Sequence, residues 1–155
     1  MEKNDTLLQA FEWYLPDDSQ HWNKLKVMAP SFSNLGVTLA WLPPAYKGAG
    51  GVHDVGYGVY DLYDLGEFDQ KGTIPTKYGT KQEYLDAISA LQKENITVLA
   101  DIVLNQKMGG DTEETIDVIK SDPNNRNEEI GGDYQITAWT KFTFPNRKGK
   151  YSTFT

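Results

Sequence analysis

The chain has 155 residues, 39% hydrophobic and 24% charged, with no cysteine. That length and balance support one domain with a real core rather than a disordered tail, and the missing thiols exclude disulfides, thiolate nucleophiles, zinc–thiolate sites and iron–sulfur ligation. A formal net charge of -7 and a pI of about 4.8 argue against nucleic acid or an anionic membrane as partner, and they fit a neutral polymer or a small molecule.

The opening residues Met1 to Asp5 lack an apolar leader core, and no apolar run approaches a membrane span, so a cytoplasmic location is expected. Four tryptophans and nine tyrosines are many for so polar a chain. Some must be exposed, and exposed aromatic faces suit sugar rings or bases.

Thr6 to Phe11 is a short, mostly apolar run that reads as a first strand, followed by the turn cluster Glu12 to Asp18 with two large aromatics. Trp22, Leu25, Met28, Phe32 and Leu35 then recur near helical spacing, and the aromatic ones are expected in a core rather than at a ligand site. Pro30 within that pattern predicts a kinked helix or two short ones, with Gly36 as the stop.

Val37 to Leu42 reads as a second strand, ended by Pro43-Pro44. The connection from Ala45 to about Gly79 is long, rich in glycine, tyrosine and acidic residues, and a loop of that length is usually functional or disordered. Its aromatics argue against disorder. None of its glycines forms a phosphate-binding fingerprint, which makes a nucleotide-binding α/β domain a remote reading.

Thr80-Lys81-Gln82-Glu83 is a capping box, and Tyr84, Leu85, Ile88 and Leu91 form an apolar helical stripe after it. Ile96 to Val103 reads as a buried third strand. The order β-α-β-long loop-α-β predicts parallel strands joined by right-handed crossovers. In such architectures chemistry gathers where strands end, which singles out Asp101, Asn105 and Gln106. Beyond Asn105 the texture changes. Thr112 to Lys120 is expected to be a short helix. Tyr134 to Trp139 and Lys141 to Phe144 alternate as half-exposed strands do.

Four of these stretches resemble one family, the alpha-amylases of glycoside hydrolase family thirteen, in their bacterial liquefying form. Gln9-Ala10-Phe11-Glu12-Trp13-Tyr14 is similar to that family's first barrel strand and loop, and Trp41 to Gly48 to the end of its second strand. Asp54-Val55-Gly56-Tyr57-Gly58 through Phe68 resembles its long second βα loop. Asp101-Ile102-Val103-Leu104-Asn105 resembles the first of its short signatures.

The resemblance implies a fold class of α/β: the first three strands and two crossover helices of a (β/α)8 barrel, which typically needs about 250 residues. Residues 1–104 would be the partial barrel and 105–155 the beginning of a β-rich domain B. The implied activity is retaining endo-hydrolysis of α-1,4 bonds in starch or glycogen. The nucleophile, the acid/base and the stabilising aspartate come from later signatures that do not occur here, so no catalytic residue is assigned and the chain alone is expected to be inactive. A non-catalytic carbohydrate-binding or degenerate remnant is the alternative.

By the same resemblance Tyr57 stacks on a sugar ring, Trp13 and His53 are further substrate-binding candidates, and Gln106 stands where the family has a sugar-contacting histidine. Asp101 is a supporting residue whose arginine partner is missing, and Asn105 is a calcium ligand in a site this chain leaves incomplete. The implied partner is an α-glucan. A three-strand piece would also leave an unpaired apolar strand edge, so self-association through that edge is expected.

Overall fold

A computed structural model describes residues 4–152. Expectations placed on residues 1–3 and 153–155 lie outside the described residues.

Three strands, β1 (Leu7–Gln9), β2 (Leu39–Leu42) and β5 (Thr97–Ala100), form one parallel sheet in the order β1-β2-β5. The sheet is parallel as predicted, because each strand is returned to the same end by a helix. Helix α1 (His21–Asn34) precedes β2, and helix α2 (Lys81–Lys93) precedes β5. The register sets Leu8, Ala40 and Val98 in one row across the sheet, and Gln9, Trp41 and Leu99 in the next. Side chains alternate between faces at period two. The first row joins the core beneath the helices, whereas Leu99 is 40% exposed and Leu7, in the other alternate row, is 54% exposed. One face of the sheet is therefore covered and the other is open.

The core is built from Trp22, Leu25 and Ala29 of α1, Tyr84, Ala87 and Leu91 of α2, Ala40 and Leu42 of β2, and Ile96 and Tyr78 beside them. Trp22 lies 4.8 Å from Tyr84 and 5.4 Å from Tyr78 between ring centroids, close enough for tilted aromatic contacts. Truncating Leu91, which is fully buried, to alanine would cost about 2–5 kcal/mol.

Helix α2 follows its sequence closely. Thr80 accepts from the amide of Glu83, and the Glu83 carboxylate accepts from the amide of Thr80 at 2.8 Å, which completes the capping box. Leu85 departs from the expected stripe and is exposed. Helix α1 is one continuous helix with Pro30 inside it, not two short ones. Packing against α2 supplies what the missing donor removes, since most helix stability in proteins comes from the buried face. That face runs through Trp22, Leu25, Ala29 and Phe32. Met28 and Leu35, which share the same helical spacing, point away from it and are 46% and 79% exposed.

Two further expectations are corrected. The third strand is not a buried run from Ile96 to Val103: only Thr97–Ala100 pair, and at the sheet edge they stay largely exposed. Thr112 to Lys120 is not a helix. It forms β6 (Thr112–Val118), which pairs antiparallel with β7 (Tyr134–Lys141), bringing Ile116 opposite Ile136. The cross-strand pairs decide the matter, overriding the helix-forming glutamates at 113 and 114. The two expected strands at the far end reduce to one, and Phe144 lies beyond it, buried against Tyr60.

The long connection is ordered. Its short strands β3 (Lys47–Gly48) and β4 (Val59–Asp61) pair antiparallel, with a single 3-10 turn at Gly51–His53 between them.

Candidate functional site

The site lies where the long connection meets the end of β5. Asp54 organises the near side. Its carboxylate accepts from the amides of Gly50, Gly56 and Gly58 at 3.1, 2.8 and 3.2 Å, a turn that holds residues 54–58 as one unit. The glycines are required by space: a Cβ at Gly58 would sit 2.4 Å from Asp54 Oδ2, and one at Gly56, where φ is +99°, 2.6 Å from Pro44. Tyr57 is carried between them, half-buried.

Three contacts fix Tyr57. Its hydroxyl donates to Asp101 Oδ2 at 2.8 Å. Its carbonyl accepts from Gln106 Nε2 at 2.7 Å. Its ring lies parallel to Trp13, 6.1 Å between centroids and 5° between planes. Burial, then the hydrogen bond to Asp101 and the charge of Asp101, push the Tyr57 hydroxyl up to about 12, which keeps it protonated and donating at neutral pH. Asp101, expected to lack its arginine partner, accepts here from the Tyr57 hydroxyl.

The segment after β5 is held from behind. The amide of Val103 donates to the Tyr46 hydroxyl at 2.6 Å, and burial raises the pKa of that hydroxyl. Asn105 is exposed, and its Nδ2 donates to Gln106 Oε1 at 3.4 Å.

His53 belongs to a separate cluster. Its Nδ1 lies 2.6 Å from Asp17 Oδ2, and Lys77 pairs with the other oxygen of Asp17. Those hydrogen bonds, from His53 first and then Lys77, hold the Asp17 carboxyl below its usual range. Trp13, Asp101 and Gln106 thus each contact Tyr57, while His53 is tied to Asp17.

Behind the site the loop contains buried charge that sequence reasoning missed. Lys47 Nζ donates to the carbonyls of Phe68, Thr73 and Ile74 at 3.1, 2.5 and 2.7 Å and lies 3.6 Å from Asp64, both side chains being wholly buried. Asp61 accepts from Arg147 Nε at 2.9 Å and from Gln70 at 3.0 Å. Desolvation lowers the pKa of Lys47, and the charge of Asp64 opposes that shift. Such pairs are readable only in part. Asp61 and Asp64, each followed by an amide-rich turn, carry an Asx-turn signal, but nothing local announces Arg147 as a partner.

Calcium takes about 6–8 oxygen ligands. Asn105 offers a single exposed amide oxygen, and among the described residues no group of three or more His, Cys, Asp or Glu side chains could hold a metal ion. The residues present do not make up a calcium shell, and no chemistry is derived through one.

The arrangement offers an aromatic face with fixed hydrogen-bonding groups beside it. Asp101, the carboxylate at this spot, is engaged by Tyr57 rather than poised opposite a second carboxyl.

No protein-family model matches the chain. It is 56% identical over 151 residues to an alpha-amylase of Geobacillus stearothermophilus, 50% identical over 151 residues to a glucan 1,4-alpha-maltohexaosidase of Bacillus sp. (strain 707), and 49% identical over 152 residues to a cytoplasmic alpha-amylase of Escherichia coli (strain K12). These alignments cover 97–98% of the chain, which spans only 27–31% of the length of those relatives. Among solved structures, a truncated alternansucrase from Leuconostoc mesenteroides superposes with a TM-score of 0.80 at 26% identity, covering 95% of this chain and 14% of that one.

Proposed function

Since this chain belongs to the alpha-amylase family, we infer that it supplies the substrate-facing rim of a glycoside hydrolase acting on α-1,4-glucans, without the carboxyl pair that would cleave them. The observation that carries this reading is the parallel Trp13–Tyr57 pair, anchored through Asp101 at the end of β5. Sugar rings present C–H groups on their faces, and a fixed aromatic plane receives them with little entropic cost because it is already ordered. Tyr57 and Trp13 form the stacking face in this reading, Gln106 adjoins it and Asp101 supports it, while His53, held by Asp17, is a further binding candidate from a separate cluster.

The open face of the sheet and the exposed edge of β5 support the wider assignment. Residues 1–104 would be the first part of a (β/α)8 barrel, whose remaining strands cover that face, and residues 105–155 the start of domain B. Asn105 would contribute one oxygen to a calcium site completed elsewhere in a whole enzyme. One relative bears the name of a cytoplasmic enzyme, which favours that location for this protein too. Among the described residues no helix is long and apolar enough to cross a membrane.

A second reading, a binding remnant without catalysis, is favoured by Gln106, a neutral amide that cannot carry a proton between groups. Two measurements test what the readings share, a sugar-facing rim without the cleaving pair. The purified chain is expected to bind a linear maltooligosaccharide in a titration, with Tyr57→Ala weakening binding about ten-fold, the size of one aromatic contact. It is expected to release no reducing ends from starch. Binding that is indifferent to Tyr57→Ala would defeat the rim assignment, and turnover above a buffer blank would defeat the claim that the cleaving pair lies outside these residues.

A further inference from the structure

We propose that Gln106 is a positioning residue for Tyr57, not a contact to bound sugar. The proposal rests on the reading of Tyr57 and Trp13 as the sugar-facing pair and assigns the neighbouring amide a different task.

Both polar atoms of the Gln106 side chain are engaged within the protein. Nε2 donates to the Tyr57 carbonyl at 2.7 Å, and Oε1 accepts from Asn105 Nδ2 at 3.4 Å. The shorter bond falls on main chain, so it fixes the peptide that carries Tyr57. Asp101, from the same segment, fixes the opposite end of that residue through its hydroxyl at 2.8 Å. The segment after β5 therefore grips Tyr57 at carbonyl and hydroxyl together.

Asp54 closes the arrangement from the loop side, accepting from the amides of Gly56 and Gly58 at 2.8 and 3.2 Å. The Gly58 amide and the Tyr57 carbonyl are the two ends of one planar peptide, so Asp54 and Gln106 hold that peptide from both sides. A ring gripped at both ends meets its ligand with its plane already set, so ordering it adds nothing to the cost of binding. The amide donor carries no titrating proton, so the grip persists across the pH range in which an imidazole would change charge.

The test is a double-mutant cycle on the full 155-residue chain, titrated with maltoheptaose, using Tyr57→Ala, Gln106→Ala and the double variant. Near-UV circular dichroism checks that each is folded. Gln106→Ala is expected to weaken binding roughly three- to ten-fold, the size of one hydrogen bond. In the Tyr57→Ala background it should add no further loss. Gln106→Glu, equal in length but lacking the donor, should match Gln106→Ala.

Losses that multiply in the double variant would mean that Gln106 touches sugar directly, and would overturn the proposal. So would wild-type affinity in Gln106→Glu. If Tyr57→Ala itself leaves affinity unchanged, the sugar-facing reading fails. The positioning claim is then decided without ligand by amide hydrogen exchange. Faster exchange at Gly56 and Gly58 in Gln106→Ala supports it, and unchanged exchange overturns it.

Discussion

Arg147→Ala is expected to be among the most damaging single substitutions outside the aromatic core. Arg147 Nε lies 2.9 Å from Asp61 Oδ2, and both side chains are 1% exposed. The bond joins positions 86 residues apart in the chain. Asp61 also accepts from Gln70 Nε2 and from the amide of Tyr63, each at 3.0 Å, but both of those donors are neutral. Removing the guanidinium takes from a buried carboxylate the cation hydrogen-bonded to it, with Lys47 and Lys107 left as more distant charges, and breaking such a pair costs up to about 3–5 kcal/mol. Loss of the guanidinium from above the Phe144 ring, 4.9 Å from its centroid, adds to that cost.

Against a total stability of about 5–15 kcal/mol for an ordinary domain, that is a large share. Urea unfolding followed by tryptophan fluorescence measures it as a shift of midpoint at constant slope. Lys24→Ala is the control. Its partner Asp18 is as close, at 2.7 Å, but the two side chains are 49% and 39% exposed, and such pairs contribute about 0–1 kcal/mol. Asp61→Asn combined with Arg147→Met removes both charges at once and is expected to recover part of the loss. If Arg147→Ala costs no more than Lys24→Ala, the buried pair does not hold the loop.

Three more outcomes are expected. Burial raises the Asp111 carboxyl, but donors at Thr143, Tyr60, Lys71 and Phe144 outweigh it and leave the group at about 2, against an ordinary 3.8. A depressed folded value means stability that is present above pH 3.8 and lost as the pH falls toward 2. Asp111→Asn should flatten that acid limb, removing on the order of 2 kcal/mol of pH-dependent stability, read from urea midpoints at several pH values. Thr80→Ala deletes the N-cap of α2 and should cost about 1 kcal/mol by the same assay, with Thr80→Ser nearly silent. Leu99→Lys places a charge on the exposed strand edge and should shift sedimentation toward monomer if copies associate there; an unchanged distribution would exclude that edge.

The parts legible in the sequence were those governed by local chemistry. Thr80 and Glu83 announce α2 because a capping box acts within one turn, and Pro43-Pro44 ends β2 wherever the chain runs. The Asp54-Val55-Gly56-Tyr57-Gly58 stretch marks its turn because aspartate and glycine dictate backbone shape directly. What could not be read depends on partners far along the chain. Glu113 and Glu114 favour a helix in isolation, yet β7 turns their segment into a strand. Ile96 to Val103 has the composition of a buried strand, but burial is conferred by neighbours, and β5 has a neighbour on one side only. Met28 and Leu35 fit helical spacing as well as Ala29 does, and only the position of α2 decides which of them faces inward.

These contrasts divide the molecule into a part that is complete and a part that is not. The loop between β2 and α2 has its buried charges paired within this chain, although Gln70 Oε1 is left without a partner: Lys47 has three carbonyls and Asp64, and Asp61 has Arg147 and Gln70 Nε2. Its order depends on residues all within this chain. The sheet is different. Its central strand is paired on both sides, but β1 and β5 are edges that pair on one side only among the described residues, and Leu7 and Leu99 face outward. Tyr57 stands on the complete part, and Asp101 and Gln106 follow the incomplete one. The hydrogen bonds between them are therefore the seam across which the open sheet edge would disturb the site. Any partner that covers β5 would steady Asp101 and Gln106, and through them the ring of Tyr57, without touching the sugar-facing surface itself.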